Sequence, residues 1–248
     1  MITARAVAGL PEITPGDDLG TILAGAAGDL RDDDVLVVAH KVVSKAEGRI
    51  VRLQDVAPTA DAEVLAHRHG KDPRHVQVVL DESAEVVRAE RGVLICRTHH
   101  GFVCANAGVD ASNVAAADTV ITLPVDPDGS ARAIRTALRE RLGVAPAVVI
   151  ADSFGRAWRH GQVDVAIGIA GLAPLTDWRG RTDRAGRELV ATWIALADET
   201  AAAADLARRG KDSGEPAVIV GGLGPHVTAD DGPGVMALVR ARDEDLFT

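Results

Sequence analysis

The chain has 248 residues, of which 47% are hydrophobic and 25% charged, a composition typical of a soluble globular protein with one large or two small domains. A net charge of −9 argues against binding to nucleic acid or anionic membranes, and three tryptophans, three phenylalanines and no tyrosine argue against stacking on single strands. No apolar run approaches the roughly 18 residues of a membrane-spanning helix, and no signal-peptide core follows the N-terminus. Two cysteines cannot form a disulfide framework or a paired zinc site, so we expect a cytoplasmic protein.

Short apolar strands and helices are predicted in the first half of the chain. Residues 34–40 form a β-branched run after a cluster of acids, which predicts a buried strand. Helical spacing predicts a helix over 60–70 that ends at Gly70, and a second over 72–83 that opens with Pro73. Three further strands are predicted in this half, at residues 86–87, 93–96 and 101–106.

The second half contains the cleanest buried strand of the sequence, residues 147–151. Strands and helices do not alternate strictly, and no linker or internal repeat divides the chain. We therefore predict a mixed α/β (α+β) fold in which residues 1–248 form a single compact, two-lobed unit. The other segments assigned in this half are a helix over 130–142, an apolar run over 164–171, a long alanine-rich helix over 187–209 ended by Gly210, a strand over 216–220 and a final segment over 235–239.

Polar residues directly after predicted strands are the first candidates for a site. Asp110 and Asn113 follow the strand at 101–106 and are close enough in sequence to share a ligand, although their spacing alone favours an Asx-turn with a helix N-cap. Asp152 and Ser153 follow the strand at 147–151, where a carboxylate can bind Mg²⁺ or Mn²⁺ together with phosphate; an N-cap is again the alternative.

Cationic residues suggest that the site recognises an anion. Lysine is scarce in this chain, yet Lys41 and Lys45 both follow the strand at 34–40, which is consistent with phosphate contacts or with ordinary surface lysines. Arginines are concentrated between residues 152 and 188, where they either bind phosphate or carboxylate or form a solvated face of ion pairs. These arginines are Arg156, Arg159, Arg179, Arg181, Arg184 and Arg187.

Standard nucleotide and protease motifs are absent from the sequence. There is no GxxxxGK[ST] loop, no GxGxxG after a strand, no HExxH pair and no nucleophile elbow of a Ser-His-Asp hydrolase. The residues alone predict an enzyme that depends on a divalent metal and phosphate.

Taken together, several long motifs in the same order resemble the F420-0:γ-glutamyl ligase family, over nearly the whole chain. The resemblance implies the ligase fold of that family, without the flavin-binding nitroreductase-like domain that is fused to some bacterial members. The motifs that carry it are residues 9–19, 42–49, 71–74, 101–113, 152–159, 161–168, 177–180 and 244–247.

This resemblance implies a role for each candidate site residue. Asp110 and Asp152 match a metal ligand each and would be the catalytic carboxylates, Ser153 matches the second-metal position, and Asp230 or Asp231 falls where a further acidic ligand is expected. The implied GTP contacts are Leu10, Pro11, Glu12, Ile13, His40, Lys45 and Asn113, with His40 at a position where family members often carry serine.

The implied activity is GTP-dependent addition of L-glutamate to coenzyme F420-0 through an acyl phosphate, by a cytoplasmic homodimer. Mg²⁺ or Mn²⁺ is the implied cofactor, with K⁺ as an optional further cation. Lys45 and the region of Arg156 and Arg159 would hold the anionic substrates. The alternatives are a paralogue that joins an amino acid to another carboxylate, a non-enzymatic nucleotide-binding module, and a metal-dependent phosphohydrolase.

Overall fold

The computed structural model describes residues 1–111, 118–210 and 212–245, and it shows the predicted mixed α/β fold. The strands of the described residues are β1 (Thr3–Ala6), β2 (Val35–Ala39), β3 (Ile50–Arg52), β4 (Ser83–Glu90), β5 (Val93–Thr98), β6 (Val103–Ala105), β7 (Thr119–Ile121), β8 (Ala147–Arg156), β9 (Arg159–Ala170), β10 (Thr176–Asp177), β11 (Trp193–Ile194) and β12 (Ala217–Gly221). The α-helices are α1 (Leu19–Ala26), α2 (His40–Ala46), α3 (Ala60–His69), α4 (Pro73–Asp81), α5 (Pro127–Leu142) and α6 (Leu196–Arg208).

A central sheet with the strand order β1–β12–β2–β8–β9 forms the larger lobe. Its neighbours pair antiparallel except β2 and β8, which are parallel and place Ala39 opposite Ala151. The apolar runs of β2, β8 and β12 are buried, as expected for strands that are covered on both faces. Helices α5 and α6 pack against this sheet, and α1 packs on α5.

The smaller lobe combines the sheet β4–β5–β6 with α3 and α4 around a second apolar cluster, which contains Val76, Val79 and Leu94. The predicted caps are present: Gly70 ends α3 in the left-handed region at φ 63°, and Asp72 caps α4 ahead of Pro73. Two separate apolar clusters in the described residues agree with the prediction of a compact chain with two lobes.

The predicted helix over 187–209 is wrong in its first half, because α6 begins only at Leu196. Residues 187–194 instead run antiparallel to 178–183 and satisfy their backbone groups there. The Trp178 N–H donates to the Thr192 carbonyl at 3.0 Å, and the Asp183 N–H to the Arg187 carbonyl at 2.8 Å. Because these hydrogen bonds satisfy the backbone of residues 187–194, the helical propensity of the segment does not determine its structure.

Residues 164–170 of the predicted apolar segment belong to β9, which pairs with β8 in a long antiparallel hairpin and ends one residue before Gly171. Helix α5 also begins earlier than predicted, at Pro127, where the Asp126 side chain caps it. Within the described part of the chain, no helix has both the length and the apolar character needed to cross a bilayer.

Candidate active site

The candidate site lies where the parallel strands β2 and β8 end side by side. Helix α2 starts at His40, immediately after the last residue of β2, and Asp152 follows the buried part of β8. Side chains at the carboxyl ends of neighbouring parallel strands emerge at one edge of the sheet, the usual place for a ligand crevice.

Asp152 contacts His40 across this edge. The Nε2 atom of His40 lies 3.2 Å from Oδ1 of Asp152, and the imidazole is 2% exposed. The same carboxylate oxygen accepts a hydrogen bond of 2.7 Å from the Ser153 backbone N–H. One oxygen of the Asp152 carboxylate therefore accepts from the backbone of the next residue and lies against the buried ring of His40.

Asp110 belongs to the other lobe and contacts this edge through Lys41; it is not among the described residues that line the cleft beside Asp152. Its carboxylate lies 2.7 Å from Nζ of Lys41, the residue after His40. The backbone of Asp110 pairs with Ile121 through two hydrogen bonds, after a turn in which Asn106 and Ala107 both have φ of 52°. Such left-handed conformations in non-glycine residues cost on the order of 1 kcal/mol each, and they often occur at functional sites.

His75 on α4 adds an imidazole to the surroundings of Asp110. Burial is the main cause that lowers the pKa of His75, and Lys71 lowers it further against the opposing effect of Asp72 and Asp110. The ring is therefore neutral at pH 7 and leaves the charge of Asp110 to be balanced by cations such as Lys41.

A cleft of about 590 Å³ opens at this edge, within the range of small-molecule sites. Among the described residues that line it, Glu12, Asp152, Asp164, Asp205, Asp212 and Glu215 are acidic, while Lys41, Lys45 and Arg208 are basic. Because acidic side chains outnumber basic ones in the cleft, a polyphosphate would bind there only together with cations.

Most of the predicted nucleotide contacts line the cleft, namely Leu10, Pro11, Glu12, Ile13, His40 and Lys45, together with the metal candidates Asp152 and Ser153. Nζ of Lys45 donates to Oε1 of Glu12 at 2.6 Å, and the lysine is buried whereas Glu12 is exposed. Asn113 lies outside the described residues.

Asp230 and Asp231 are not among the described residues that line the cleft. The Asp231 carboxylate pairs with Nη1 of buried Arg135 at 3.0 Å, and the Asp230 carbonyl accepts from the same nitrogen. Arg135 thus joins the segment of Asp230 and Asp231 to α5, which gives these two residues a structural role.

The arginine concentration between residues 152 and 188 does not contribute to the lining of the cleft in the described structure. Arg179 pairs with Asp177 at 2.7 Å, a contact that lowers the pKa of Asp177, and its guanidinium stacks over Trp193 at 4.1 Å. Arg156 donates to the His160 carbonyl within its own hairpin. These contacts favour the alternative of a solvated, self-paired face.

Sequence reasoning missed the segment that follows α6. Asp205 and Arg208 on α6, with Gly210 and residues 212–216 after it, form one side of the cleft, and Asp164 on β9 lies beside them. A usable signal was present: a loop with glycine, proline and the chain's fourth lysine, Lys211, immediately precedes the strand at 217–221. Lys211 itself lies outside the described residues.

Comparison with known proteins identifies the chain's relatives. The model of the family described as F420-0:Gamma-glutamyl ligase matches residues 9–222. A coenzyme F420:L-glutamate ligase of Methanothermobacter thermautotrophicus is 45% identical over 251 residues, covering 99% of this chain and 98% of the relative. One of the same name from Methanopyrus kandleri is 47% identical, covering 95% and 93% of the two chains.

A coenzyme F420:L-glutamate ligase from Haloarcula marismortui is also 47% identical, over 87% of this chain and 85% of the relative. The family match extends over the strand edges, the N-terminal loop and the segment after α6 that together form the cleft. The chain therefore belongs to the F420-0:γ-glutamyl ligase family.

Proposed function

We propose that this protein is a GTP-dependent ligase that adds L-glutamate to coenzyme F420-0 through a γ-glutamyl amide bond. The proposal is supported by relatives that carry the name coenzyme F420:L-glutamate ligase and match nearly the whole chain. The single structural observation behind it is that His40 and Lys41, neighbours at the start of α2, contact Asp152 and Asp110 respectively.

The chemistry requires activation of a carboxylate, because its leaving group would otherwise be oxide. In the proposed reaction an oxygen of the coenzyme carboxylate attacks the γ-phosphorus of GTP, the bond to the β-phosphate breaks and GDP leaves. The amine of glutamate then attacks the acyl carbon, the C–N bond forms, and inorganic phosphate leaves with its bonding electrons. The proton released by the amine passes to solvent or phosphate.

Mg²⁺ or Mn²⁺ fits the donor set, since Asp110, Asp152 and Ser153 offer the hard oxygen atoms that these ions prefer. Among the described residues, no group of three or more His, Cys, Asp or Glu side chains could hold a metal alone. This agrees with ions that are shared between one or two carboxylates and substrate phosphates. When bound, such an ion would neutralise charge on the phosphates.

The two lysines of α2, Lys41 and Lys45, would bind the phosphates of the nucleotide. Lys45 is buried in the cleft wall, and its present partner Glu12 is mostly solvent-exposed. A phosphate oxygen could replace this carboxylate at little cost, because the glutamate regains full hydration. Lys41 and Lys45 would thus hold the phosphate chain in line with the attacking carboxylate.

A homodimer in the cytoplasm is part of the proposal. The three tryptophans, Trp158, Trp178 and Trp193, are 81%, 41% and 53% exposed and lie on the arms formed by 153–163 and 177–194, together with the 77% exposed Val190. Exposed apolar groups of this size are typical of an interface, and we assign it to a second copy of the chain. Two free cysteines are consistent with a reducing compartment.

The decisive experiment incubates the protein with GTP, Mn²⁺, L-glutamate and coenzyme F420-0, and follows coenzyme mass and GDP release. We expect the coenzyme mass to rise by glutamyl residues and GDP to form only when both co-substrates are present. GTP hydrolysis independent of glutamate and coenzyme would support a phosphohydrolase instead. Nucleotide binding without turnover would support a binding module, and turnover with another carboxylate a paralogue.

A further inference from the structure

A hydrogen-bonded chain of three side chains runs from Ser153 into the wall of the cleft. Ser153 on β8 and Asp164 on β9 are register partners, and the serine Oγ–H donates to Oδ1 of Asp164 at 2.6 Å. The other carboxylate oxygen of Asp164 accepts from Nη1 of Arg208, near the end of α6. Asp164 is 2% exposed, and the Arg208 side chain is 10% exposed.

Stability does not account for this buried pair. Placing two charges in a protein interior is costly, and well-packed apolar residues in their place are commonly as stable or more so. Arg208 adds a second cost, because its Nε and Nη2 atoms are buried and have no hydrogen-bond partner among the described residues. A pair with these costs at the wall of a ligand cleft calls for a functional explanation.

The direction of the hydrogen bonds in this chain suggests a functional explanation for the buried pair. A serine hydroxyl has one proton and two lone pairs. Ser153 donates this proton to one oxygen of Asp164, and the other oxygen of Asp164 accepts from Arg208. The lone pairs of the Ser153 hydroxyl therefore remain for another partner. The Ser153 backbone N–H at the same time donates to Oδ1 of Asp152. Ser153 is thereby arranged to accept, as a cation requires, and not to donate to phosphate.

We propose that Asp164 and Arg208 are positioning residues that fix Ser153 as an oxygen ligand for the divalent cation bound with nucleotide in the cleft. This inference rests on the proposed function, from which it takes the cation and the nucleotide. It adds two residues that sequence reasoning did not identify, neither of which has to touch the metal.

A double-mutant cycle tests the proposal through Mn²⁺ affinity, which electron paramagnetic resonance measures in the presence of GDP. We expect Asp164→Ala to weaken Mn²⁺ binding about 10-fold to 100-fold when Ser153 is present. In the Ser153→Ala background, the same substitution should cause no further loss, because the hydroxyl on which it acts is gone. Equal losses in both backgrounds, or no loss in either, would overturn the proposal.

Asp198→Ala is the matched control. Asp198 is on α6, like Arg208, and its carboxylate accepts from the Ala166 N–H on β9, so it also joins these two elements. It is not among the described residues that line the cleft. We expect this variant to lower the unfolding temperature without changing Mn²⁺ affinity; a loss of affinity equal to that of Asp164→Ala would reduce Asp164 to a merely structural role and overturn the proposal.

If Asp164→Ala does not fold, the cycle is repeated with Arg208→Met, which removes the cation that holds Asp164, and the same dependence on Ser153 is expected. Wild-type protein that binds no Mn²⁺ with GDP would overturn the proposed function as well as this inference. Mn²⁺ binding in the wild type without coupling to Ser153 would overturn the inference alone.

Discussion

The Nζ atom of Lys41 lies 2.7 Å from Oδ2 of Asp110, so the candidate metal ligand has an ammonium group as its partner in this structure. Both side chains are partly exposed, at 15% and 33%, and solvent weakens their attraction. A divalent ion that binds Asp110 must displace this ammonium group, which is then available to a phosphate.

Replacing Lys41 by methionine should therefore change two affinities in opposite directions. Without nucleotide, Mn²⁺ should bind about fivefold more tightly, because a competitor worth about 1 kcal/mol is gone. GTP should bind more weakly, since a cation at the phosphates is lost. Isothermal titration calorimetry measures both constants, and weaker Mn²⁺ binding by the variant would contradict the displacement model.

Asp152→Ala should abolish ligation while the protein remains folded. Asp152 is fixed by His40 and by the Ser153 backbone, and its loss should lower glutamate addition by at least about 100-fold. Coenzyme mass and circular dichroism check activity and fold. Asp29→Ala, which removes an exposed ion pair with Arg5, is the control that should keep activity. Near-normal turnover by Asp152→Ala would show that the metal assignment is wrong.

Substitutions of Lys45 and of its partner Glu12 should have different effects on GTP binding. Lys45→Ala should weaken GTP binding about 10-fold to 100-fold, as expected for a charge-assisted hydrogen bond. Glu12→Gln should leave GTP binding unchanged or tighten it, because the carboxylate competes with phosphate for the same Nζ atom. Fluorescence competition with a labelled guanine nucleotide distinguishes the two, and a similar loss in both variants would refute the exchange.

Gly168 on β9 fixes the distance between the sheet and the first turn of α5. A Cβ atom there would lie 2.5 Å from the Pro127 carbonyl oxygen, so Gly168→Ala should destabilise the protein by about 1–3 kcal/mol. Gly25→Ala in α1, where a Cβ would meet nothing within 4 Å, should stabilise it by about 0.5–1 kcal/mol. Urea denaturation measures both, and equal effects would contradict the packing argument.

Burial raises the pKa of the Cys104 thiol to about 12, with a smaller contribution from Asp152. Since the folded state holds the proton more firmly than the unfolded chain, with its ordinary value of 9.0, this contribution to stability is complete below pH 9 and falls as the pH rises towards 12. At pH 8 we expect iodoacetamide to label Cys104 only after unfolding, as mass spectrometry can show. Rapid labelling of the native protein would contradict this.

The larger part of the fold was predictable where a local signal agreed with its surroundings. The buried runs of β2 and β8 and the caps at Gly70 and Pro73 are examples, because hydrophobic burial and turn chemistry act over a few residues. The residues at 187–194 could not be assigned in this way, since their backbone partners at 178–183 matter more than helical propensity.

The candidate site was predictable in its carboxylates but not in their support. Asp152 follows a clear strand, and a family resemblance identified Asp110 and the N-terminal loop. Asp164 lies within the motif at 161–168 but has no role implied by it, and Arg208, 44 residues further on, lies in no motif. Their relation to Ser153 depends on the register of a hairpin and on where α6 packs, which single-sequence reasoning does not provide.

The junction between β2 and α2 has no connecting residue, since Ala39 ends the strand and His40 begins the helix. One residue inserted there would turn the helix by about 100° and carry both His40 and Lys41 away from their carboxylates at once. Loops elsewhere on the surface accept length changes readily. We therefore expect natural variation in chain length among relatives to spare this junction.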